Sequence, residues 1–340
     1  FRFDGVTSML YFDHGFRDEW NIDGYFRDGV EWDAVTYLQL ANKLAHSIYP
    51  GVVTIAEEVS GMPGICFPLR DGGFGFDYRL GMAIPDFWIR YLKDKKDEEW
   101  DIHEMWNVLT NRLPGVNTIA YCESHDQALV GDQTIAFRLM QSNIYFHMHK
   151  RDSDLVIDRG MALHKMIRLF TLALGGTAYL NFMGNEFGHP DWIDFPREGN
   201  NWSYQYARRM WSLVENRDLK YHFLREFDVE MIKLVERYKL FNDAFARQMN
   251  MDEVNKTIIF ERAGLVFIFN FHPFNSVPDY EFTVLTPGKY RIILNSDNKK
   301  YGGHERIDEK TAFFTQTKKS VQTLKIYNTN RTAMVLMKED

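Results

Sequence analysis

Three acids stand where a short apolar run gives way to a loop: Asp4 in FRFDGVTSM, Glu57 in TIAEEVSGMPG and Asp126 in YCESHDQALVGD. Carboxyl groups in such a set suit the cleavage and formation of glycosidic bonds. An ionised one attacks or stabilises the electron-poor anomeric carbon, while one held protonated by its surroundings donates to the departing oxygen. Enzymes that retain anomeric configuration hold the pair about 5 Å apart. Asp4 is the candidate nucleophile. Arg2, two residues earlier on the same strand, faces the same side, and its guanidinium would keep Asp4 ionised and oriented. Glu57 is the candidate acid/base, because the apolar run at 52–56 gives it a setting that raises a carboxyl toward neutrality. Glu58 competes with it, and strand alternation lets only one of the two face the reaction. Asp126 is the candidate third acid, placed to hydrogen-bond and distort the reacting sugar, with His125 beside it as a donor to a sugar hydroxyl. Each feature alone has an ordinary explanation: a structural Arg–Asp pair, two solvated loop acids, a structural His–Asp pair. Their joint occurrence, each at a strand end, is what points to glycosidic chemistry.

The elements that must position these acids are strands alternating with helices. Strand-like runs at 1–3, 52–56, 76–80, 117–121 and 178–183 are separated by helical apolar spacing at 33–49 (Val35, Leu38, Leu40, Leu44, Ile48), 84–93 and 159–173, and two further helices are predicted at 204–216 and 227–241. This alternation predicts an α/β fold with a parallel sheet. In a (β/α)₈ TIM barrel, acids at the C-terminal ends of the strands share one mouth, where such enzymes do their chemistry. Only about five of eight strands are legible, and the first begins at Phe1, which is not a methionine. The expectation is a barrel whose N-terminal strands are missing, in a chain that is the C-terminal part of a longer protein. A Gly- and Asp-rich loop is predicted over 13–29. The glycines at 72–75 lack the GxxxxGK[ST] pattern of a phosphate loop. After about residue 250 the pattern becomes short alternating runs (257–261, 265–271, 280–284, 290–294, 333–337) with turn residues between them, which predicts an antiparallel all-β sandwich domain. The domain reading is therefore 1–249 for the barrel part and 250–340 for the β-domain.

Bulk properties narrow the class. A net charge of −7 argues against a nucleic-acid partner. No run of 18 apolar residues predicts a membrane span. Two cysteines, Cys66 and Cys122, make no disulfide framework, which favours a reducing, cytoplasmic compartment. Aromatic residues make up 15% of the chain, enough for a large aromatic core with some rings left to stack on sugars.

The segments FRFDGVTSMLY, TIAEEVSGMPG, FDYRLGMAIPD, YCESHDQALVGD, LHKMIRL, YLNFMGNEFGHPDWIDFPREGNNWSY and ERAGLVFIFNFHP closely resemble the α-amylase superfamily. Within it they resemble the branching enzymes of 1,4-α-glucans, over nearly all 340 residues. VTSM, EVSGMP and QALVGD, following the three acids, separate this group from plain amylases. The resemblance places Asp4 as nucleophile, Glu57 rather than Glu58 as acid/base and Asp126 as transition-state stabiliser, with Arg2 and His125 as the supporting substrate-binding pair. It implies an α-glucan substrate such as glycogen or amylose, transfer to a 6-hydroxyl, and neither metal nor organic cofactor. The sequence departs from the family after MLY, where a histidine pair is common and this chain reads YFDHG, keeping His14. Two other readings follow from the same residues: an α-1,4-glucan hydrolase, or a fragment that binds glucan without turning it over.

Overall fold

The computed structural model describes residues 1–16, 22–26, 29–129 and 132–339. Five short strands form one parallel sheet in chain order: β1 (Arg2–Phe3), β2 (Ile55–Ala56), β3 (Tyr78–Leu80), β4 (Thr118–Ala120) and β5 (Ala178–Tyr179). Each strand pairs with its neighbour in sequence, Phe3 opposite Ala56 and Leu80 opposite Ile119. Parallel neighbours need a long return path. Helices supply it for three of the four connections: α1 (Val6–Leu10), α2 (Ile22–Phe26) and α3 (Trp32–Ile48) before β2, α4 (Ala83–Asp94) and α5 (Ile102–Thr110) before β4, and α6 (Ile135–Met140), α7 (Asn143–Phe146) and α8 (Leu155–Leu174) before β5. The β2–β3 connection carries only a 3₁₀ turn at Leu69–Asp71. Helices α9 (Ser212–Glu215) and α10 (Tyr221–Tyr238) follow β5. This is the strand order and connectivity of a (β/α)₈ barrel, five of whose strands are found among the described residues.

Helix α8 is apolar on nearly every face and is buried almost throughout, as a helix enclosed on all sides must be. Some of its polar groups find partners inside the fold. Arg168 forms an ion pair with Asp228 of α10, and Trp88 of α4 donates to Thr171 at 2.9 Å.

The antiparallel part begins with β6 (Arg247–Asp252) and continues through β7 (Thr257–Arg262), β8 (Leu265–Asn270), β9 (Val277–Val284), β10 (Lys289–Asn295), β11 (Ala312–Phe314), β12 (Gln316–Lys318), β13 (Val321–Asn328) and β14 (Thr332–Glu339). One sheet has the order β11-β10-β14-β8-β7-β6 and the other β12-β13-β9. Strand β8 is buried at every position because the larger sheet is covered on both faces. Ile259, Val266, Ile268 and Leu336 pack toward Phe282 and Leu324 of the small sheet. Phe260, Phe267, Phe269 and Val335, the alternate set, join a core shared with α8.

Two sequence expectations are corrected. The helix predicted at 204–216 is reduced to Ser212–Glu215. Arg209 is buried there and donates to the carbonyls of Met183 and Asp191, and the preceding residues are drawn into turns around it. The helix predicted at 227–241 runs instead from Tyr221 to Tyr238 and stops where Lys239 adopts φ 51°. Helices α1, α2, α5, α6 and α7 and strands β6, β11, β12 and β13 have no counterpart among the predicted elements, and α2 stands within the stretch 13–29 predicted to be loop. Part of the loop predicted at 13–29 lies outside the described residues.

Candidate active site

Strand register brings the first two acids together. Phe3 and Ala56 are paired, so the residues that follow them, Asp4 and Glu57, leave the sheet side by side. The Glu57 N–H donates to the Phe3 carbonyl at 3.1 Å and the Val6 N–H to the Glu57 carbonyl at 3.0 Å, which locks the two strand ends. Gly5 turns the chain at φ 58°, a region where a side chain is strained, and its N–H donates to Glu57 Oε2 at 3.0 Å. The Arg2 guanidinium touches both acids: Nη1 lies 3.0 Å from Asp4 Oδ1 and Nη2 lies 2.8 Å from Glu57 Oε2. The Asp4 side chain is 81% exposed and that of Glu57 only 17%. The outer acid is open to a ligand and the inner one is held by donors.

Glu58 has a different environment. It is fully buried. Oε1 accepts from the Ser60 N–H at 2.6 Å and from the Ser60 and Thr7 hydroxyls, and Oε2 accepts from the N–H groups of Gly61 at 3.0 Å and Met62 at 3.2 Å. Arg79 of β3 closes the cluster, with Nε 3.1 Å from Glu58 Oε2 and 2.6 Å from the Glu58 carbonyl. Glu58 is thus the anchor of the VSGM turn, and its acceptor sites are taken up by that turn. Arg79 and Thr7 were not singled out from sequence. Both lie inside quoted segments, FRFDGVTSMLY and FDYRLGMAIPD, but the contacts join three separate strand ends that the linear sequence does not bring together.

Asp126 lies beyond β4, on the loop that leads to α6. His125 Nε2 lies 3.1 Å from Asp126 Oδ1, and the Ser124 hydroxyl donates to Asp126 Oδ2 at 3.3 Å. Both side chains are nearly half exposed. Gln127 Nε2 reaches Asp86 Oδ1, in the first turn of α4, at 3.5 Å. Among the described residues no hydrogen bond or ion pair joins Asp126 to Asp4 or Glu57. Tyr121 feels the charge of both Asp126 and Glu57. Burial and then the negative charges of Asp126, Asp86 and Glu57 push its phenol well above the usual tyrosine value, with Arg2 opposing. One hydroxyl therefore lies in the field of Asp126, Glu57 and Arg2, and Asp86 joins the cluster as an acid the sequence reading passed over. Val130 and Gly131 of the QALVGD motif lie outside the described residues. His14 is described: its Nδ1 lies 3.1 Å from the Ser8 carbonyl, on the loop leaving α1.

Glu123 sits under this loop. It is 1% exposed, and its Oε2 accepts from the Ile135 N–H at 2.5 Å, tying the end of β4 to the start of α6. Its other oxygen has no partner among the described residues. Burial raises its carboxyl to about 7, against the pull of Arg209, Arg138 and Arg168.

The long loop after β5 is knotted around Asp194. Arg197 Nε (3.0 Å) and Asn200 Nδ2 (3.0 Å) donate to its carboxylate, and the Arg197 bonds hold that carboxyl below the usual carboxylate range. The knot fixes Asn201 and Trp202 at φ 54° and 56° and leaves Phe195, Trp202 and Tyr204 exposed.

Comparison with known proteins follows the geometry. Residues 249–339 match the family described as alpha amylase, C-terminal all-beta domain. The chain is 54% identical to the 1,4-alpha-glucan-branching enzyme of Felis catus, over 100% of this chain and 50% of that protein. It is 53% identical to that of Solanum tuberosum (93% and 37%) and 50% identical to that of Candida glabrata (100% and 50%). The chain spans about half the length of the curated relatives it matches. Among solved structures it resembles a pullulanase from Bacillus acidopullulyticus, with a TM-score of 0.55 at 14% identity over 90% of this chain and 36% of the other. It also resembles a debranching enzyme of Nostoc punctiforme, with a TM-score of 0.52 at 14% identity over 88% and 55%. These last likenesses speak to the fold alone. With half or more of its residues identical across 93–100% of its length, the chain belongs to the 1,4-α-glucan-branching enzyme family of the α-amylase superfamily.

Proposed function

We propose that the protein carrying this chain is an α-glucan branching enzyme that cuts an α-1,4 bond and rejoins the released chain through an α-1,6 bond with retention. The observation that carries this reading is the single guanidinium of Arg2 bridging Asp4 and Glu57 at adjacent strand ends, in a chain so similar to proteins named as branching enzymes. The Asp4 carboxylate attacks C1 of the donor sugar while Glu57 gives its proton to the departing O4. The result is a glycosyl ester on Asp4 and a free chain end. Glu57, now a carboxylate, takes the proton of an acceptor 6-hydroxyl, whose oxygen attacks C1 and releases Asp4. Asp126 and His125 bind hydroxyls of the reacting ring and favour its flattened, positively charged form. The carbohydrate partner is an α-glucan such as glycogen, amylose or amylopectin, and the product places the enzyme in glycogen or related glucan synthesis. The cytoplasm as its compartment belongs to the same reading, supported by two unpaired cysteines. Among the described residues no helix is long and apolar enough to cross a membrane.

The test is amylose treated with the full-length protein, with iodine colour and reducing ends followed together and debranching by isoamylase afterwards. Branching gives falling colour, constant reducing ends and new short chains on debranching. Rising reducing ends would mean hydrolysis instead, and no change in either would remove the proposal.

A further inference from the structure

Away from the barrel mouth, α8 and the β-domain enclose a cavity of about 380 Å³. Four cations line it: Arg159 and Lys165 from α8, and Arg306 and Arg331 from the β-domain. Their counter-charges are unevenly placed. Arg159 and Arg331 share Asp97, with Arg159 Nε at 2.8 Å and Arg331 Nη2 at 2.7 Å, and Arg306 is paired twice with Asp297 at 3.0 and 3.1 Å. Lys165 has no carboxylate in contact. It is 3% exposed, and its ammonium donates to the carbonyls of Ser296 at 2.5 Å and Tyr301 at 2.9 Å. An ammonium has three donors, and the third meets no acceptor among the described residues. The Nε–H of Arg331 is also buried without an acceptor. Counting Asp158, which lines the cavity too, three acids face four cations, and the excess is positive.

A buried cation lacking a paired acid is costly. Burial pushes the Lys165 ammonium down to about 8, the direction expected of a charge not fully compensated. A surplus of positive charge, with an ammonium that lacks a paired acid, lining a cavity large enough for a small ligand, fits a tetrahedral anion with several acceptor oxygens. Exposed Phe274 at the rim offers an apolar surface beside it.

We propose that this cavity binds a phosphate group, free or esterified to a sugar, with Lys165 and Arg331 donating to its oxygens. The site lies between the first half of α8 and the loops that follow β8, β10 and β13, and its lining includes none of Asp4, Glu57 and Asp126, so a ligand there would act on the packing of the β-domain rather than on the reacting sugar.

The test is calorimetric titration of the full-length protein with inorganic phosphate, glucose 6-phosphate and maltose. Saturable binding of the two anions and none of maltose by this cavity is expected. Tighter binding of the sugar phosphate would identify a sugar-borne ligand, and equal binding would identify the free anion. Lys165→Met should weaken binding by roughly tenfold or more. Because that variant removes a buried contact, Ala162→Trp is the companion. It fills the cavity and leaves every charge in place, and it should abolish anion binding while branching of amylose without phosphate is unchanged. Absence of saturable anion binding by the unaltered protein, binding that survives in either variant once folding is verified by circular dichroism, or maltose binding lost with Ala162→Trp would overturn the proposal.

Discussion

Glu57 and Glu58 are adjacent in the chain and opposite in surroundings. The apolar run before them applies equally to both, so residue type and spacing alone left the pair unresolved. What separates them is contact made at long range: Arg2 and Gly5 on Glu57, and Thr7 and Arg79 on Glu58. Substitution should separate them further. Asp4→Asn and Glu57→Gln are each expected to cost several orders of magnitude in kcat with folding intact, as for groups that act in the transition state. Glu58→Gln should instead lower unfolding free energy by about 3 kcal/mol, measured in urea, because it takes a charged acceptor from buried donors. A Glu58→Gln protein of normal stability but no activity would reverse the assignment. Glu123 makes a prediction in pH. Its folded carboxyl, at about 7, lies above its ordinary 4.5, so the folded state keeps a proton that the unfolded state has lost. Stability should therefore fall as pH rises from about 4.5 to 7, by up to roughly 3 kcal/mol. Glu123→Gln should flatten that part of the stability profile, and an unchanged profile would refute the account.

At the scale of elements, the strand ends were legible because a parallel strand buried on both faces reads as an apolar run closed by polar residues. Every strand expected in the barrel part is present, although paired over only two or three residues. Residues 204–211 were not legible. Their apolar spacing resembles a helix, but the buried guanidinium of Arg209 must reach carbonyls of Met183 and Asp191, and that need outweighs local propensity. The polar short strand β12 was missed for the complementary reason: Gln316–Lys318 is exposed throughout and carries no burial signal. The Asp194 knot is an element-scale device with its own test. Asp194→Asn weakens the pairing with Arg197, so trypsin should cut at Arg197 faster in the variant, with the melting temperature little changed. Equal cleavage rates would show that the loop is held elsewhere.

On the scale of the whole molecule, the barrel strands and the β-sandwich are not separate bodies. Phe170 of α8 packs on Phe260, Phe269 and Phe271 with ring centroids 5.0–6.3 Å apart. Arg262, fully buried, donates from β7 to the carbonyls of Ala173 and Gly176, each at 2.8 Å, at the C-terminal end of α8. Calorimetry should therefore show one unfolding transition for both parts, and Arg262→Met should lower its midpoint as a unit, by about 3 kcal/mol in stability. Two resolved transitions would contradict a shared core. The outer side of α3 behaves differently. Tyr37, Leu40, Leu44 and Ile48 are 58–75% exposed at helical spacing, an apolar stripe, and β1 ends the parallel sheet with one side unpaired among the described residues. The 340 residues on their own are expected to self-associate in sizing experiments, and a monodisperse monomer would argue otherwise. The arginine that crosses from β7 to α8 also bears on how such proteins diversify. A C-terminal unit that completes its neighbour's interior cannot be exchanged between relatives as a cassette without matching the surface it closes. Lineages that differ in the glucans they handle should carry those differences in the loops at the strand ends, with the sandwich and α8 changing only in step.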